Sequence, residues 1–311
     1  MILVTGASGF VGRALLCRLA EQGNVVRAAY RHDPVNLPAG VQSVLVGDLC
    51  SSQDWGAALQ AVDVVVHAAA RVHIMKDAAI APLSVYRKVN VDGTLNLATQ
   101  AAAAGVRRFI FLSSVKVYGE STVEGYAFHA DKEPAPVDSY GISKLEAERG
   151  LQAIATQTGM EVVIIRPPLV YGKGVRGNFS ALMQAVVWGI PMPLGAINNR
   201  RSLVALDNLV DLILTCLEHP NAGNQIFLVC DGEDLSTPDL ILRMAFAMNK
   251  TAYLISLPLG FLWFVAKVLG KSDALQRLCG NLQVDISKTK SMLDWKPPIS
   301  LNEGLRRAVS K

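Results

Sequence analysis

The chain has 311 residues, 51% of them apolar and 18% charged, and its formal net charge is +4. That length buries a full core, and a mean hydropathy of +0.30 excludes a disordered chain. The small positive charge is spread without a basic block, so no nucleic-acid partner is implied, while local Arg clusters leave anionic small molecules open.

In chain order, "ILVT" reads as a strand, Phe10 to Gln22 as a helix, and "VVRAAY" and "SVLVG" as strands. A helix near Asp54 to Gln60 leads to the strand "DVVVHAAA", and a long helix covers roughly Pro82 to Ala104. The strand "RRFIFLSS", a helix around Ser139 to Thr158 and the strand "MEVVIIRPP" complete the regular part. Short apolar runs separated by helices of this length predict βαβ crossovers and a parallel sheet buried on both faces. The expectation is an α/β, Rossmann-type doubly wound sheet over residues 1–168, with a return of the chain around 203–230. Residues 169–311, where Gly and Pro become frequent, then supply mainly a smaller substrate-binding domain over the carboxyl edge of the strands.

The five cysteines are scattered, with no C-x-x-C pair, which predicts reduced thiols, no metal centre and a cytoplasmic protein. Met1 runs directly into strand residues, so no signal peptide is expected. In the most apolar stretch, Tyr253 to Lys271, Pro258 and Lys267 interrupt the run, leaving it short of the roughly 20 residues of a membrane span. It reads as a buried or lid-forming helix, with peripheral membrane contact as the alternative.

Between the first strand and helix stand Gly6, Gly9 and Gly12, a G-x-x-G-x-x-G turn. Such glycines allow a tight turn, close approach of a pyrophosphate to backbone N–H groups, and packing of helix on strand. Dinucleotide folds usually carry an acid about 20 residues further on, to hold a ribose hydroxyl. Here Tyr30 and Arg31 occupy that point, and Arg31, with Arg27 or His32 nearby, suits a 2′-phosphate. NADP(H) is therefore the expected cofactor, with NAD(H) as the alternative. Asp48 offers an acceptor for an adenine amino group, or caps the helix that follows. The small residues of "HAAA" (His67 to Ala70) let a ribose–nicotinamide lie on a strand end, His67 itself being packed.

Tyr140 and Lys144 in "YGISK" share one helix face at i,i+4 spacing. A phenol titrates near ~10, and a neighbouring ammonium would lower it towards service as a general acid and base. "FLSSVKVYG" places Ser113 and Ser114 at a strand end one βα unit earlier, where a hydroxyl can share the substrate oxygen. Asn90, inside the long helix, is either solvated or organises a water near Lys144.

The residues "VTGASGFVG", "GDL", "HAAA", "VNVDGTLNL", "FLSSVKVYG", "YGISK" and "RPPLVYGKG" resemble the extended short-chain dehydrogenase/reductase family, the NAD-dependent epimerase/dehydratases. The resemblance covers nearly the whole chain, including Asp285 to Leu305. It implies Ser114, Tyr140 and Lys144 as catalytic residues with Asn90 in support. Cofactor contacts are implied at Gly6, Gly9, Phe10, Val11, Gly12, Arg31, Asp48, Leu49, His67, Ala68, Ala69, Tyr140, Lys144 and Pro167. It also implies a UDP-linked sugar held by Asn178 and Arg201, with Tyr140, Arg71, Lys116 and His73 near the sugar, and a homodimer.

Three reactions share such a scaffold. The 4,6-dehydratases need an Asp–Glu pair after the catalytic hydroxyl, where this chain has Val115 and Lys116, so dehydration is disfavoured. Arg31 in place of an acid favours net reduction by NADPH over epimerisation with tightly held NAD. The motifs are most similar to 4-reductases of UDP-4-keto-6-deoxy-N-acetylhexosamines in O-antigen synthesis, which would form UDP-QuiNAc or UDP-FucNAc. A UDP-hexose or UDP-N-acetylhexosamine 4-epimerase is the alternative, and a non-catalytic NADP(H)-binding regulator is the alternative of another class.

Overall fold

The computed structural model describes residues 1–33, 36–72, 82–270 and 272–310, so His73 lies outside the described residues. Among the described residues there are ten strands: β1 (Ile2–Thr5), β2 (Val26–Tyr30), β3 (Val41–Leu45), β4 (Val64–His67), β5 (Arg108–Leu112), β6 (Glu161–Arg166), β7 (Leu169–Tyr171), β8 (Arg201–Ala205), β9 (Ile226–Leu228) and β10 (Asp234–Leu235). Seven form one parallel sheet in the order β3-β2-β1-β4-β5-β6-β9, which is the doubly wound architecture expected. A second sheet joins β8 in parallel to β7 and antiparallel to β10.

Alternation within the central strands builds two cores. Val4, Val66, Ile110 and Ile165 pack on one face; Leu3, Val65, Phe109 and Ile164 pack on the other. Each such side chain, fully withdrawn from water, stabilises the sheet by roughly 1.5–3 kcal/mol. Arg108, almost fully buried, lies beside Glu161 in the β5–β6 register and donates to its carboxylate at 2.7 Å. Across β6, Arg166 donates to Glu148 at 3.0 Å and also to the Tyr118 hydroxyl. That buried group locks the Ser139–Thr158 helix to the sheet and to the Val115–Tyr118 turn.

The predicted long helix runs from Pro82 to Ala103, but it is not uniform. Residues Arg87–Asp92 form a π-helical turn, in which the Gly93 amide donates five residues back to the Lys88 carbonyl. Gly93 itself is required there, because a Cβ would stand 2.6 Å from Leu49 Cγ. The apolar Tyr253–Lys271 stretch forms a helix only over Leu259–Val268, and one face of it is exposed rather than buried. No described helix is long and apolar enough to cross a membrane.

Candidate active site

The first wall of the site is the glycine turn after β1. Gly6 has φ +69°, and a Cβ there would lie 2.6 Å from the Ala68 and Ala69 backbone; at Gly12 it would lie 2.1 Å from the Gly6 carbonyl oxygen. These are contacts that only glycine permits. The Phe10–Glu21 helix begins at Gly9, which has no capping side chain, and its first turn contains no acid. Nothing in the turn therefore competes with an anion for the helix N-terminal amides. Phe10 and Val11 pack partly into the core behind the turn. Among the described residues Ser113 Oγ is buried without a hydrogen-bond partner at the end of β5. Glycine cradle, uncapped helix and orphaned hydroxyl all fit a dinucleotide.

The second wall is catalytic in type. Ser114 follows β5 in extended conformation and accepts from the Lys116 amide at 3.2 Å. Lys144 reaches back to the same strand, donating from Nζ to the Leu112 carbonyl at 2.7 Å. Tyr140 stands one turn before Lys144, whose Nζ lies 5.9 Å from the phenol ring centroid. Gly141 brings this helix against the serine turn, since a Cβ would sit 2.6 Å from the Lys116 carbonyl oxygen. Asp138 caps the helix by accepting from the Gly141 amide at 2.6 Å. Ser114, Tyr140 and Lys144 are thereby gathered at the carboxyl end of β5.

The titration of this group departs from the sequence expectation. Burial pushes the Lys144 ammonium down to about 7, against an opposing pull from Glu148. Burial also raises the Tyr140 phenol above its usual value, with Asp138 and then Tyr86 adding to the rise. The lysine therefore does not hold the phenol low by itself. Both groups favour their neutral forms, and an added positive charge would be needed to draw out the phenolate.

Several assigned roles change. Asn90 is buried in the π-turn rather than solvated: Oδ1 accepts from the Arg71 amide at 2.8 Å, and Nδ2 donates to the Arg71 carbonyl and Ser143 Oγ, each at 3.0 Å. Ser143 donates in turn to the Tyr140 carbonyl at 2.8 Å, so Asn90 positions the Ser139–Thr158 helix and the Arg71 backbone together. The Arg71 guanidinium lies 5.7 Å from the Tyr86 ring centroid, and Tyr86 meets Tyr140 edge-on at 6.2 Å. The Lys116 ammonium is already paired, with Glu120 at 3.0 Å and with Asp138. Tyr86, Ser143 and Asp138 carried no signal in the sequence; each acts only through partners brought up by the fold.

On the cofactor side, the His67 ring cannot reach a ligand. It is buried between Thr5 Oγ1 at 2.6 Å and Thr94 Oγ1 at 2.9 Å, and burial lowers its pKa to about 3. Ala68 and Ala69 remain partly open at the end of β4, and Leu49 turns towards Gly93. Pro167 is buried and accepts from the Val115 amide at 3.1 Å, tying β6 to the serine turn. Arg31 pairs with Asp48 at 3.3 Å, both exposed, so a 2′-phosphate beside Arg31 would also meet a carboxylate. Arg27 is directed elsewhere, donating to the Ala58 and Gln60 carbonyls at 2.9 and 2.8 Å. The Arg31–Asp48 pair weakens the argument for NADP(H) that rests on Arg31.

Arg201 stands in the second, three-stranded sheet, and Asn178 on the helix that follows β7. Asn178 opens the Asn178–Val187 helix, and Arg201 begins β8 with one N–H donated to the Gly280 carbonyl at 2.8 Å. Burial lowers the Arg201 pKa from its ordinary value.

Residues 2–230 match the family model described as the NAD dependent epimerase/dehydratase family. The chain is 49% identical over 310 residues to UDP-glucose 4-epimerase of Vibrio cholerae, covering 99% of this chain and 94% of that one. It is 30% identical, with the same coverage, to N-acetyl-alpha-D-glucosaminyl-diphospho-ditrans,octacis-undecaprenol 4-epimerase of Escherichia coli O157:H7. Among solved structures, MoeE5 in complex with UDP-glucose and NAD superposes with a TM-score of 0.78 at 26% identity, covering 99% of this chain and 96% of that one.

Proposed function

The chain belongs to the NAD-dependent epimerase/dehydratase family, and from that premise we propose that it is a 4-epimerase of a UDP-linked hexose that works with NAD. The observation that carries this reading is the 49% identity to a UDP-glucose 4-epimerase over 99% of the chain. The similarity to MoeE5, solved with UDP-glucose and NAD, supports the same nucleotide sugar and cofactor. It replaces the expected NADPH-dependent 4-reduction, whose local argument was an Arg31 now paired with Asp48.

NAD, when bound, supplies a hydride acceptor that later returns the same hydride. Tyr140 takes the proton of the 4-hydroxyl as C4 is oxidised, and gives it back when the keto sugar is reduced on its other face. Ser114 hydrogen-bonds the same oxygen. Lys144, anchored on Leu112, holds its amine beside the phenol ring. Arg201 and Asn178 hold the diphosphate. Proton and hydride both return, so the net change is an isomerisation and no cofactor is consumed.

Purified protein given UDP-glucose and no added cofactor should produce UDP-galactose, and acid denaturation should release NAD. Absence of interconversion, together with NADPH-dependent reduction of a UDP-4-keto-6-deoxy sugar, would reinstate the reductase. A second reading concerns the carrier of the sugar, because the Escherichia coli relative is named for a polyprenol-diphosphate substrate. Parallel assays with UDP-N-acetylglucosamine and its undecaprenyl-diphosphate counterpart separate the two carriers.

A further inference from the structure

The Leu259–Val268 helix buries Leu262 and Ala266 against Leu275 and turns the rest of its surface outwards. On an α-helix, Phe261, Phe264 and Val268 fall on one outward stripe, with Trp263 and Lys267 beside it. Phe264 is 66% exposed and Val268 70% exposed. The patch has a neighbour: Trp188 is 70% exposed, and Ile190, Tyr253 and Ile255 are also exposed. The Met192 amide donates to the Tyr253 carbonyl at 2.8 Å, and a Cβ on Gly189 would stand 3.7 Å from the Tyr253 ring. Those contacts join Trp188 and Tyr253 into one surface, Tyr253 standing five residues ahead of the Pro258 that caps the helix. Contiguous apolar surface of this kind marks an interaction site.

Charge selects the occupant. No Asp or Glu occurs between Asp239 and Asp273, or between Glu161 and Asp207, while Lys250 and Lys267 stand within the first span. A two-fold contact between copies would set the same cationic surface against itself. An anionic lipid surface complements it instead: aromatic and aliphatic side chains enter the interface, and the lysines meet headgroup charge. We propose that the exposed face of the Leu259–Val268 helix, extended by Trp188 and Tyr253, docks this protein on anionic lipid bilayers. The inference does not depend on which sugar or carrier the active site takes.

The full-length protein is tested by flotation with vesicles of phosphatidylcholine alone and of equal parts phosphatidylcholine and phosphatidylglycerol. Wild type should float with the anionic vesicles, and added salt should weaken that binding. The double variant Phe261→Ser, Phe264→Ser should bind about tenfold more weakly, while converting UDP-glucose as wild type does. Lys267→Glu, a single exposed change, should weaken binding to the anionic vesicles only. Wild type that stays soluble with both vesicles, or variants that bind like wild type, would overturn the proposal. So would a solution dimer that Phe264→Asp converts to monomer, which would assign the face to a second copy.

Discussion

Lys144 donates to the carbonyl of Leu112, the last residue of β5 and the second before Ser114, so its amine is held by the strand that delivers the Ser114 hydroxyl. The amine titrates near 7 in the folded chain and at 10.5 ordinarily. Between those values the unfolded chain holds a proton that the folded chain has released, so stability rises with pH across that window. Relative to Lys144→Met, wild type should gain about 2 kcal/mol between pH 7 and pH 9, read from urea midpoints. Parallel pH profiles for the two proteins would contradict a buried amine of lowered pKa.

Tyr140 holds its ring centroid 5.9 Å from Lys144 Nζ. Replacing it with Phe keeps the ring and removes the transferable proton. Tyr140→Phe should lower kcat by about 10²- to 10⁴-fold with little change in KM. NAD should still copurify with the variant. Turnover at the wild-type rate would remove Tyr140 from the mechanism.

His67 predicts sensitivity to acid. Its folded pKa is lowered to about 3 from 6.5, so as pH falls through that window the unfolded chain takes up a proton that the folded chain refuses. Wild type should lose about 2 kcal/mol of stability between pH 7 and pH 5 through this group. His67→Gln should lack that component, although the change at the Thr5 and Thr94 contacts lowers its stability at every pH. Denaturant titrations at the two pH values decide the matter.

Arg31 supplies a test of cofactor choice. An exposed ion pair such as Arg31–Asp48 contributes at most about 1 kcal/mol. Arg31→Ala should therefore change the Kd for NADH less than about fivefold. A large selective loss of NADPH binding in this variant would restore the phosphate-binding role read from the sequence.

What the sequence revealed was local in origin. The Gly6–Gly12 turn, the i,i+4 pair of Tyr140 and Lys144, and the serines after β5 are fixed by spacing along one or two elements. The alternation of Leu3 and Val4, or of Phe109 and Ile110, gave away a sheet covered on both faces. Hidden were the partnerships across the chain. Lys116 looked open because Asp138 is 22 residues away, and Asn90 looked solvated because Arg71 and Ser143 arrive from other elements. Arg31 misled for the same reason, its carboxylate partner standing beyond the next strand.

The π-turn at Arg87–Asp92 has a consequence for how the chain tolerates insertions and deletions. It holds one residue more per turn than the α-helix around it, and Asn90 is that turn's buried residue. Deleting one residue there would let the segment close as ordinary α-helix. Everything beyond it would keep its phase relative to Tyr86, because the π-turn spends its extra residue on about the same rotation that the α-helix covers without it. Leu97, Ala98 and Ala101 would stay in the core while Asn90 left the Arg71 backbone. The surplus residue thus swells one turn of the helix, which carries the site, and leaves the other half, which carries the packing, in register. A frame-preserving loss of a single codon in this stretch would cost the site and spare the packing.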